Sequence, residues 1–371
     1  MKYYIIAGEA SGDLHGSNLI RELRLLDSAA SIRCWGGDKM QEAGGELVKH
    51  YRDLAFMGFA EVVMNLRTIF RNLAFCKEDI LQFKPDTLVL IDYPGFNLRI
   101  AKWARAQGIR VVYYISPQVW AWKENRVKMM KECIDKMLVI LPFEKDYYRD
   151  KWSWEVEYVG HPLVEVVDQR IAAGTGQPLA GKPVIALLPG SRKQEIIKKL
   201  PVMLEVSRSF PDYQFIVAKA PGMDESFYDS MLQAYPNVTY TRNATYELLL
   251  QSTAALVTSG TATLETALFG VPEVVCYKGS PISYAIAKRV IKVKFISLVN
   301  LIMDRLVVKE LIQHDLTPAN INRELNDILR NETRKEQLTR DYAALKQLLS
   351  QGGRASAKAA RSIYDFVTGA A

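Results

Sequence analysis

Short apolar runs alternate with longer amphipathic stretches along the whole chain. The runs are rich in β-branched residues and have the length of strands, whereas the stretches between them have helical spacing. In the first half the predicted strands are residues 2–7, 32–36, 87–92, 110–115, 136–141 and 156–160. In the second half they are residues 183–188, 213–218, 238–241, 254–259 and 273–277. This alternation predicts α/β units built on parallel sheets.

The distribution of these patterns predicts two domains. The runs TLVLID and VIALLPG are apolar on both faces, as in strands that helices cover on both sides. Gly, Pro and small residues cluster at 172–183, a second strand–helix series follows, and 318–368 has helical patterns only. We therefore predict two doubly wound, Rossmann-like α/β domains with a cleft between them and closing C-terminal helices, the architecture called GT-B.

The predicted N-terminal domain spans residues 1–172 and the C-terminal domain spans residues 183–345. Residues 346–371 are expected to form a closing helix that packs on the N-terminal domain or on a partner chain. Ligands of such folds bind at the C-terminal ends of the strands, so we expect binding and catalytic residues in the turns that follow strands.

Composition narrows the class of partner. The chain has 371 residues, 49% of them hydrophobic, and a formal net charge of +7. A basic balance favours a nucleic acid, an anionic lipid or a phosphorylated substrate as the partner. Because the sequence has no RNA-binding motif, zinc finger or long basic tract, nucleic acid is the least favoured of the three.

We predict neither a metal site nor a membrane-spanning helix. The cysteines are far apart, and no pair of histidines has the spacing of metal ligands. The longest apolar runs fall short of the ~20 residues that a membrane-spanning helix needs. The chain begins directly with a predicted strand and shows no signal peptide, so we expect a cytoplasmic location, free or at the cytosolic face of a membrane.

The segment at residues 56–81 combines an apolar pattern with basic residues. Its apolar positions are Phe56, Met57, Phe59, Val62, Val63, Leu66, Ile69, Phe70, Leu73 and Phe75. Arg67 and Arg71 interrupt them. One interpretation is a helix that faces the core. The other is an interfacial segment that enters lipid headgroups or holds acyl chains.

The first predicted strand is followed by the turn GEASGDLHG, residues 8–16, which opens a helix. Its small residues allow the backbone to approach a ligand, which makes Glu9, Ser11 and Asp13 candidate binding residues. The alternative is a helix cap made by Ser11 or Asp13. The turn matches neither a Walker A loop nor G-x-G-x-x-G. His15 is a secondary candidate for a general base.

Asp92 ends the third predicted strand and is the main candidate for a base. A carboxylate at this position can accept a proton from a substrate hydroxyl. The alternative is an Asx turn or a cap for the helix that begins near Pro94. After the next strand, Trp120 and Trp122 are expected either to stack on sugars or hold acyl chains, or simply to pack the top of the domain.

Two turns of the second half have the composition of an anion site. The first contains Gly190, Ser191 and Arg192; Ser191 is expected to cap the following helix, and Arg192 adds a fixed positive charge. The second turn consists of Ser259, Gly260, Thr261 and Ala262, with Glu265 one turn into the next helix, within reach of a ribose diol. Each turn alone is compatible with ordinary helix capping, but the pair favours a nucleotide diphosphate.

These turns belong to a longer series of distinctive strings. In chain order, between about residue 5 and residue 315, they are GEASGDLHG, MGFAEVV, IDYPGFN, SPQVWAW, LPFEKDYY, VGHPL, LLPGSRKQEI, TSGTATLETAL, PEVVCYK, SLVNLI and VVKELIQ. Together they resemble the lipid A disaccharide synthase family. SGTATLE occurs in several sugar-nucleotide enzymes, but its combination with GEASGD and SPQVWAW is highly specific.

The resemblance implies an inverting GT-B hexosyltransferase of lipid A biosynthesis in Gram-negative bacteria. UDP-2,3-diacylglucosamine would donate its sugar to 2,3-diacylglucosamine 1-phosphate (lipid X), giving a β-1,6-linked disaccharide phosphate and UDP. The resemblance further implies no cofactor, no metal, peripheral association with the cytosolic face of the inner membrane, and a monomer or homodimer.

The resemblance, together with the residue patterns described above, assigns expected roles to residues. Asp92 matches the family's essential aspartate and is the expected catalytic base, with His15 as the second candidate. The expected UDP and diphosphate ligands are Gly190, Ser191, Arg192, Ser259, Gly260, Thr261, Ala262, Glu265, Tyr277, Asn300, Glu310 and Gln313. The expected acceptor and lipid residues are Glu9, Ser11, Asp13, Met57, Phe59, Val62, Leu66, Ile69, Phe70, Leu73, Trp120 and Trp122.

The chain departs from the family pattern at two places. Gly95 stands where many relatives have a second Asp, so only Asp92 can act as a base in that turn. SLVN and VKEL lack a proline that is common in the family. Two alternative functions stay open: a GT-B UDP-sugar epimerase, which needs no acyl-chain surface, and a non-catalytic lipid-binding protein, which has no use for a UDP site.

Overall fold

The computed structural model describes residues 1–54, 66–220, 223–280, 284, 293–351 and 353–370, with only the backbone of Leu66. These residues form two compact units. Unit 1 consists of Met1–Pro162 and Leu349–Ala371, and unit 2 consists of Leu163–Leu348. Each contains one parallel sheet with helices between its strands, as the alternating pattern predicts.

Unit 1 contains a seven-stranded sheet in its described part. Its strands are β1 (Lys2–Ala7), β2 (Ser31–Gly36), β3 (Glu46–His50), β4 (Thr87–Ile91), β5 (Val111–Tyr114), β6 (Lys136–Val139) and β7 (Glu157–Tyr158). The connecting helices are α1 (Ala10–Leu26), α2 (Asp38–Glu42), α3 (Leu66–Phe83), α4 (Pro94–Ala106), α5 (Val119–Trp122), α6 (Arg126–Cys133) and α7 (Pro142–Trp152). The spatial order is β3-β2-β1-β4-β5-β6-β7, so the order reverses at β1, which pairs with both β2 and β4.

Unit 2 repeats this plan with a six-stranded parallel sheet, counted over its described residues. Its strands are β8 (Val184–Leu188), β9 (Gln214–Lys219), β10 (Val238–Arg242), β11 (Ser252–Thr258), β12 (Glu273–Tyr277) and β13 (Lys309–Ile312). Its helices are α8 (Pro162–Ala172), α9 (Lys193–Ser207), α10 (Glu225–Leu232), α11 (Thr245–Leu250), α12 (Thr261–Leu268), α13 (Leu298–Met303), α14 (Pro318–Arg330) and α15 (Glu332–Leu349). The order β10-β9-β8-β11-β12-β13 reverses at β8.

The central strands owe their stability to burial on both faces. Tyr3–Ala7 and Leu88–Ile91 have no exposed surface, as their continuous apolar composition predicts. The buried Tyr4 hydroxyl donates to Asp79 Oδ2 at 2.6 Å and accepts from Trp35 Nε1 at 2.8 Å. Because Asp79 lies on α3, this network anchors α3 to the sheet.

The division between the units falls earlier than the glycine-rich linker suggested. Helix α8, which we expected to end the first domain, belongs with unit 2. Two ion pairs explain the difference, because Arg170 on α8 lies 2.9 Å from Glu247 and Asp168 on α8 pairs with Lys346 at 2.5 Å. A composition that favours a loop at 172–183 does not show with which unit the preceding helix packs.

The last helix, α16 (Ala355–Thr368), lies along α1 in unit 1. Arg354, at its start, pairs with Glu22 on α1, and Arg110 Nη1 donates to the backbone oxygen of Val367 at 3.2 Å, near its end. The end of the chain therefore completes the unit in which the chain begins.

Segment 56–81 is described only from its residue 66 onward. Met57, Phe59 and Val62 lie outside the described residues, as does the side chain of Leu66. Along α3, Leu73 is buried and Ile69 packs against the core, whereas Phe70 is 63% and Phe75 46% exposed. The helix thus faces the core on one side and presents aromatic rings on another. None of the described helices is long and apolar enough to span a bilayer.

Candidate functional site

A cavity of about 470 Å³ lies in unit 2, at the carboxyl ends of β8, β9 and β11. This is the point where the strand order reverses, because β8 pairs with β9 on one side and with β11 on the other. All the predicted residues of both anion-binding turns line the cavity, from Gly190 to Arg192 and from Ser259 to Ala262, and Glu265 lines it as well. The fold therefore brings together two turns that are far apart in the sequence.

The glycines of these turns have backbone conformations that other residues rarely adopt. Gly190 has φ +120° and Gly260 has φ +136°. Each lies just before a helix, so the free N–H groups at the starts of α9 and α12 are directed toward one region. The prediction that Ser191 caps α9 is wrong: Arg192 occupies the N-cap position, and no side chain caps the helix there. The start of α9 therefore lacks a side-chain cap.

Two cationic side chains line the cavity. Arg192 is 65% exposed, so its guanidinium can reach an anion in the cavity. Lys219, at the end of β9, also lines the cavity and lies 3.5 Å from Glu225 Oε1. We did not predict Lys219, although the rule that identified Asp92, a polar residue at the tip of an apolar strand, applies equally to QFIVAK.

Glu265 is placed by a hydrogen bond and by burial. The Tyr246 hydroxyl donates to its Oε1 at 2.8 Å, and burial raises the pKa of the Glu265 carboxyl. One carboxylate oxygen is thereby held, and Glu265 lines the cavity together with Thr261 and Ala262. A role in binding a ribose diol stays a prediction.

Asn300 and Glu310 form a clamp beside the cavity. The buried Asn300 side chain accepts from the N–H groups of Val307 and Val308 at 2.8 and 2.9 Å and donates to Glu310 Oε1 at 2.9 Å. Glu310 also accepts from Ser297 N at 2.9 Å. Ser297 caps α13 by accepting from Asn300 N at 3.2 Å, which shows how SLVN starts a helix without the proline.

The clamp is connected to the turn that begins at Ser259. Ser259 Oγ donates to Ile296 O, next to Ser297, at 2.9 Å. Tyr277 and Gln313 lie at the ends of the neighbouring strands β12 and β13. In the described part of the chain, these two residues and the clamp residues are not among those that line the cavity. Direct contact of these four residues with UDP stays a prediction.

In unit 1 the turns after β1 and β4 meet at the corresponding reversal of strand order. Asp92 and Tyr93 both have left-handed backbones, with φ +44° and +48°, which is strained for residues other than glycine. The Asp92 backbone is fixed by three hydrogen bonds: its N–H donates to Tyr114 O at 3.1 Å, and its oxygen accepts from Tyr113 Oη at 2.6 Å and Asn97 Nδ2 at 2.8 Å. Strain that is held this firmly is typical of a functional turn.

The Asp92 side chain has an unusual electrostatic environment. The pKa of its carboxyl is raised to about 7: burial is the main cause, Glu9 adds to it, and a backbone hydrogen bond from Tyr93 opposes both. The alternative role, a cap for α4, is not observed, because Tyr93 occupies the N-cap position and no side chain caps that helix. A carboxyl group with a pKa near neutrality is suited to general base catalysis.

The first turn packs tightly against the second. A Cβ on Gly8 would lie 2.2 Å from the Tyr93 ring, so only glycine allows this approach. Glu9 is exposed at the N-cap position of α1, and Ser11 is exposed in its first turn. The proposed caps by Ser11 or Asp13 on α1 are not found, because no side chain caps this helix.

Asp13 instead caps α2. Its buried carboxylate accepts from the backbone N–H groups of Gly37 at 2.7 Å and Met40 at 3.0 Å. This carboxylate therefore joins α1 to α2, and its oxygens are already engaged. His15 is buried too, and burial lowers its pKa to about 4, so it is neutral at physiological pH.

The two tryptophans have different environments. Trp120 Nε1 donates to Glu144 Oε1 at 3.1 Å, and its ring packs edge-on against Phe143 at 4.9 Å. Trp122 is 53% exposed, with the Lys123 ammonium 3.8 Å from its ring centroid. Burial raises the pKa of Glu144 to about 8. Trp120 thus packs within the unit, and Trp122 is open to a ligand.

Two doubly wound parallel-sheet units, one with a cavity at the reversal of its strand order, define a protein of the GT-B fold. Comparison of structures agrees. The UDP-GlcNAc 2-epimerase from Neisseria meningitidis bound to UDP-GlcNAc has a TM-score of 0.70 at 14% identity, covering 98% of this chain and 100% of its own. The glycotransferase of kitacinnamycin has a TM-score of 0.70 at 16% identity, covering 99% of both chains.

Sequence comparison identifies the family. The model of the family described as lipid-A-disaccharide synthetase matches residues 3–364. A lipid-A-disaccharide synthase from Geobacter sulfurreducens is 40% identical over 360 residues, which cover 94% of this chain and 93% of the relative. The chain belongs to the lipid-A-disaccharide synthetase family and is a glycosyltransferase of lipid A biosynthesis. The family and fold predictions are confirmed, and the epimerase alternative has the weaker support because epimerases share only the fold.

Proposed function

We propose that this glycosyltransferase joins UDP-2,3-diacylglucosamine to 2,3-diacylglucosamine 1-phosphate and releases UDP and a β-1,6-linked disaccharide phosphate. The family supplies a nucleotide-sugar donor and a lipid acceptor. The observation that carries the donor assignment is the cavity of unit 2, where two uncapped helix N-termini and Arg192 converge. Such N–H groups and a guanidinium are suited to a diphosphate.

The donor's diphosphate binds between the turns at Gly190 and Gly260. Negative charge develops on the diphosphate as the bond to the sugar breaks, and the helix N-termini together with Arg192 stabilise that charge. Lys219 adds a second positive charge at the cavity wall. The nucleoside lies toward Glu265, whose free carboxylate oxygen accepts from the ribose.

Asp92 is the base for the acceptor hydroxyl. The acceptor oxygen attacks the anomeric carbon from the face opposite UDP, which inverts the configuration, and its proton passes to the Asp92 carboxylate. Because burial raises the pKa of Asp92 to about 7, the carboxylate holds this proton more readily than an ordinary aspartate does. His15 is the weaker candidate, since its pKa of about 4 makes the buried imidazole a poor proton acceptor.

The exposed aromatic residues of α3 and the basic charge support peripheral membrane binding at the cytosolic face of the inner membrane. Phe70 and Phe75 are exposed beside Arg71, a combination typical of interfacial helices. Flotation with vesicles that contain anionic lipid tests this. Phe70→Ser/Phe75→Ser should lower the bound fraction, whereas Leu25→Ser, at a 77% exposed position of α1, should not. Light scattering in detergent distinguishes monomer from homodimer.

The direct test is product formation. Purified protein, the proposed donor and the proposed acceptor are incubated in mild detergent with a chelator, and the products are identified by mass spectrometry. A tetraacyl disaccharide phosphate with one UDP per turnover supports donor, acceptor and metal independence together. UDP binding without any disaccharide would contradict the proposal, and release of free UDP without acceptor would favour an epimerase.

A further inference from the structure

Lys199, on the second turn of α9, is a buried lysine next to the donor cavity. The residue is 2% exposed, although a buried ammonium group loses several kcal/mol of hydration unless it is paired. Its Nζ donates to Thr258 Oγ1 and lies 3.9 Å from Glu195 Oε2. Both partners line the cavity, whereas Lys199 itself does not. The lysine therefore lies directly behind the cavity wall.

Glu195 connects this lysine to the first anion-binding turn. A Cβ on Gly190 would lie 2.4 Å from Glu195 Oε2, which shows that the carboxylate packs against the turn itself. Its other oxygen, Oε1, lies 3.9 Å from Arg192 Nη1. A negative carboxylate thus occupies the region between Arg192 and Lys199, in the site where we place the donor's diphosphate.

We propose that Lys199 is a positioning residue for the diphosphate: it holds the Glu195 carboxylate and the Thr258 hydroxyl at the cavity wall and supplies a buried positive charge behind both turns. This inference rests on the proposed UDP site. Without Lys199, the remaining cationic partner of Glu195 would be Arg192, and Glu195 would compete with the diphosphate for that guanidinium. The Glu195 carboxylate would also repel the diphosphate with no nearby charge to offset it.

The charge state of Lys199 gives the proposal a distinctive pH dependence. Burial lowers the pKa of its ammonium group; Glu195 opposes this, and Lys198 on the same helix adds to it. The facing thiol of Cys276, on β12, stays neutral because burial raises its pKa to about 12. The protonated lysine favours the anion, so UDP binding should weaken as pH rises through the lowered pKa of Lys199.

The test compares Lys199→Met with Lys198→Met, which removes the same charge from the adjacent, more exposed position. UDP affinity is measured by calorimetry from neutral to alkaline pH, and KM and kcat are measured for transfer. We expect Lys199→Met to weaken UDP binding about tenfold, or about 1.4 kcal/mol, and to raise KM for the donor more than it lowers kcat. The alkaline loss of affinity should disappear in Lys199→Met and persist in Lys198→Met. The ionisation of uracil is common to both variants and does not affect their difference.

A double-mutant cycle with Glu195→Gln tests the route of the effect. If Lys199 acts by restraining the Glu195 carboxylate, the loss caused by Lys199→Met should be smaller in the Glu195→Gln background. If Lys199→Met does not fold, as judged by its thermal melt, Thr258→Val replaces it. That variant removes the hydroxyl that favours the charged form of Lys199. The alkaline loss of UDP affinity should therefore move to lower pH.

The outcomes separate the two proposals. A wild-type protein that does not bind UDP would overturn the donor site, and with it the role of Lys199. Wild-type protein that binds UDP, together with a Lys199→Met variant that matches Lys198→Met in affinity and pH dependence, would overturn the role of Lys199 alone. The role of Lys199 would also be overturned if Thr258→Val lost UDP affinity at the same alkaline pH as wild type.

Discussion

The two units place the same kind of structure, a pair of turns at the reversal of strand order, at sites of opposite chemistry. In unit 2 the turns after β8 and β11 carry glycines with positive φ, uncapped helix starts and the Arg192 guanidinium. In unit 1 the turns after β1 and β4 carry the carboxylates of Glu9 and Asp92. In doubly wound folds the topology determines where ligands bind, and the side chains determine what binds there.

The two sites also differ in packing. Apart from the neighbours of Gly260 in the chain, no described residue has an atom within 4 Å of the position that a Cβ on Gly260 would take, so these residues leave space at the second turn of unit 2. In unit 1 the Tyr93 ring fills the space over Gly8, and strained backbone at Asp92 and Tyr93 is held by hydrogen bonds. An open site suits the binding of a large anion, whereas a rigid one suits the placement of one reactive carboxylate.

The largest effect is expected from a substitution in the unit 1 site. Asp92→Asn keeps the size of the side chain and removes the proton acceptor, so turnover should fall by about 10²- to 10⁴-fold. Steady-state rates with saturating donor and acceptor measure this. His15→Gln is the control for the second candidate base and should retain most of the activity. Near-wild-type turnover in Asp92→Asn would contradict the assignment of the base.

The next largest effect is expected from a substitution in the unit 2 site. Arg192→Met removes a charged hydrogen-bond donor to the diphosphate, and UDP affinity should fall roughly 10- to 100-fold. Arg208→Met, which follows the end of the same helix and pairs with Glu205, is the matched control. Equal losses in the two variants would mean that general charge, and not the turn, attracts UDP.

A smaller effect tests the packing of the unit 1 turns. A Cβ on Gly8 meets the Tyr93 ring, whereas a Cβ on Gly95 meets no atom of the described residues within 4 Å. Gly8→Ala should therefore destabilise the protein by about 1–3 kcal/mol, as overpacking typically does, and Gly95→Ala should be close to neutral. Chemical denaturation measures both, and similar stabilities would show that the close approach of the two turns is not required.

The smallest expected effect is a shift of the pH profile. Asp92 must be ionised to accept a proton, so kcat/KM should rise with pH through the raised pKa of about 7. The negative charge of Glu9 contributes to that pKa. Glu9→Gln should therefore move the rising limb to lower pH. If the rise of kcat/KM stays at the same pH in Glu9→Gln, Glu9 does not influence the pKa of Asp92.

Local patterns in the sequence predicted much of this arrangement. Continuous apolar runs predicted the central strands, and the polar residues after β8 and β11 identified the two turns that line the cavity of unit 2. The edge strands β3 and β13 escaped prediction, because ELVKH and KELI mix charged with apolar residues, as solvent-facing edges do.

Features that depend on tertiary contacts could not be predicted. Asp13 caps α2 rather than its own helix, because folding brings Gly37 to its carboxylate. Lys199 is one of several lysines in an ordinary helical pattern, and only the folded chain shows that it is buried against Thr258. Contacts of this kind, between residues of different helices and strands, become visible only in the structure.

Calorimetric titration of UDP into Asp92→Asn and Arg192→Met, side by side with wild-type protein, tests the division of roles between the units. We assign UDP to unit 2 and the base to unit 1. We therefore predict a dissociation constant for Asp92→Asn within about twofold of wild type and one for Arg192→Met raised by tenfold or more. Equal weakening of UDP binding in both variants would contradict this division.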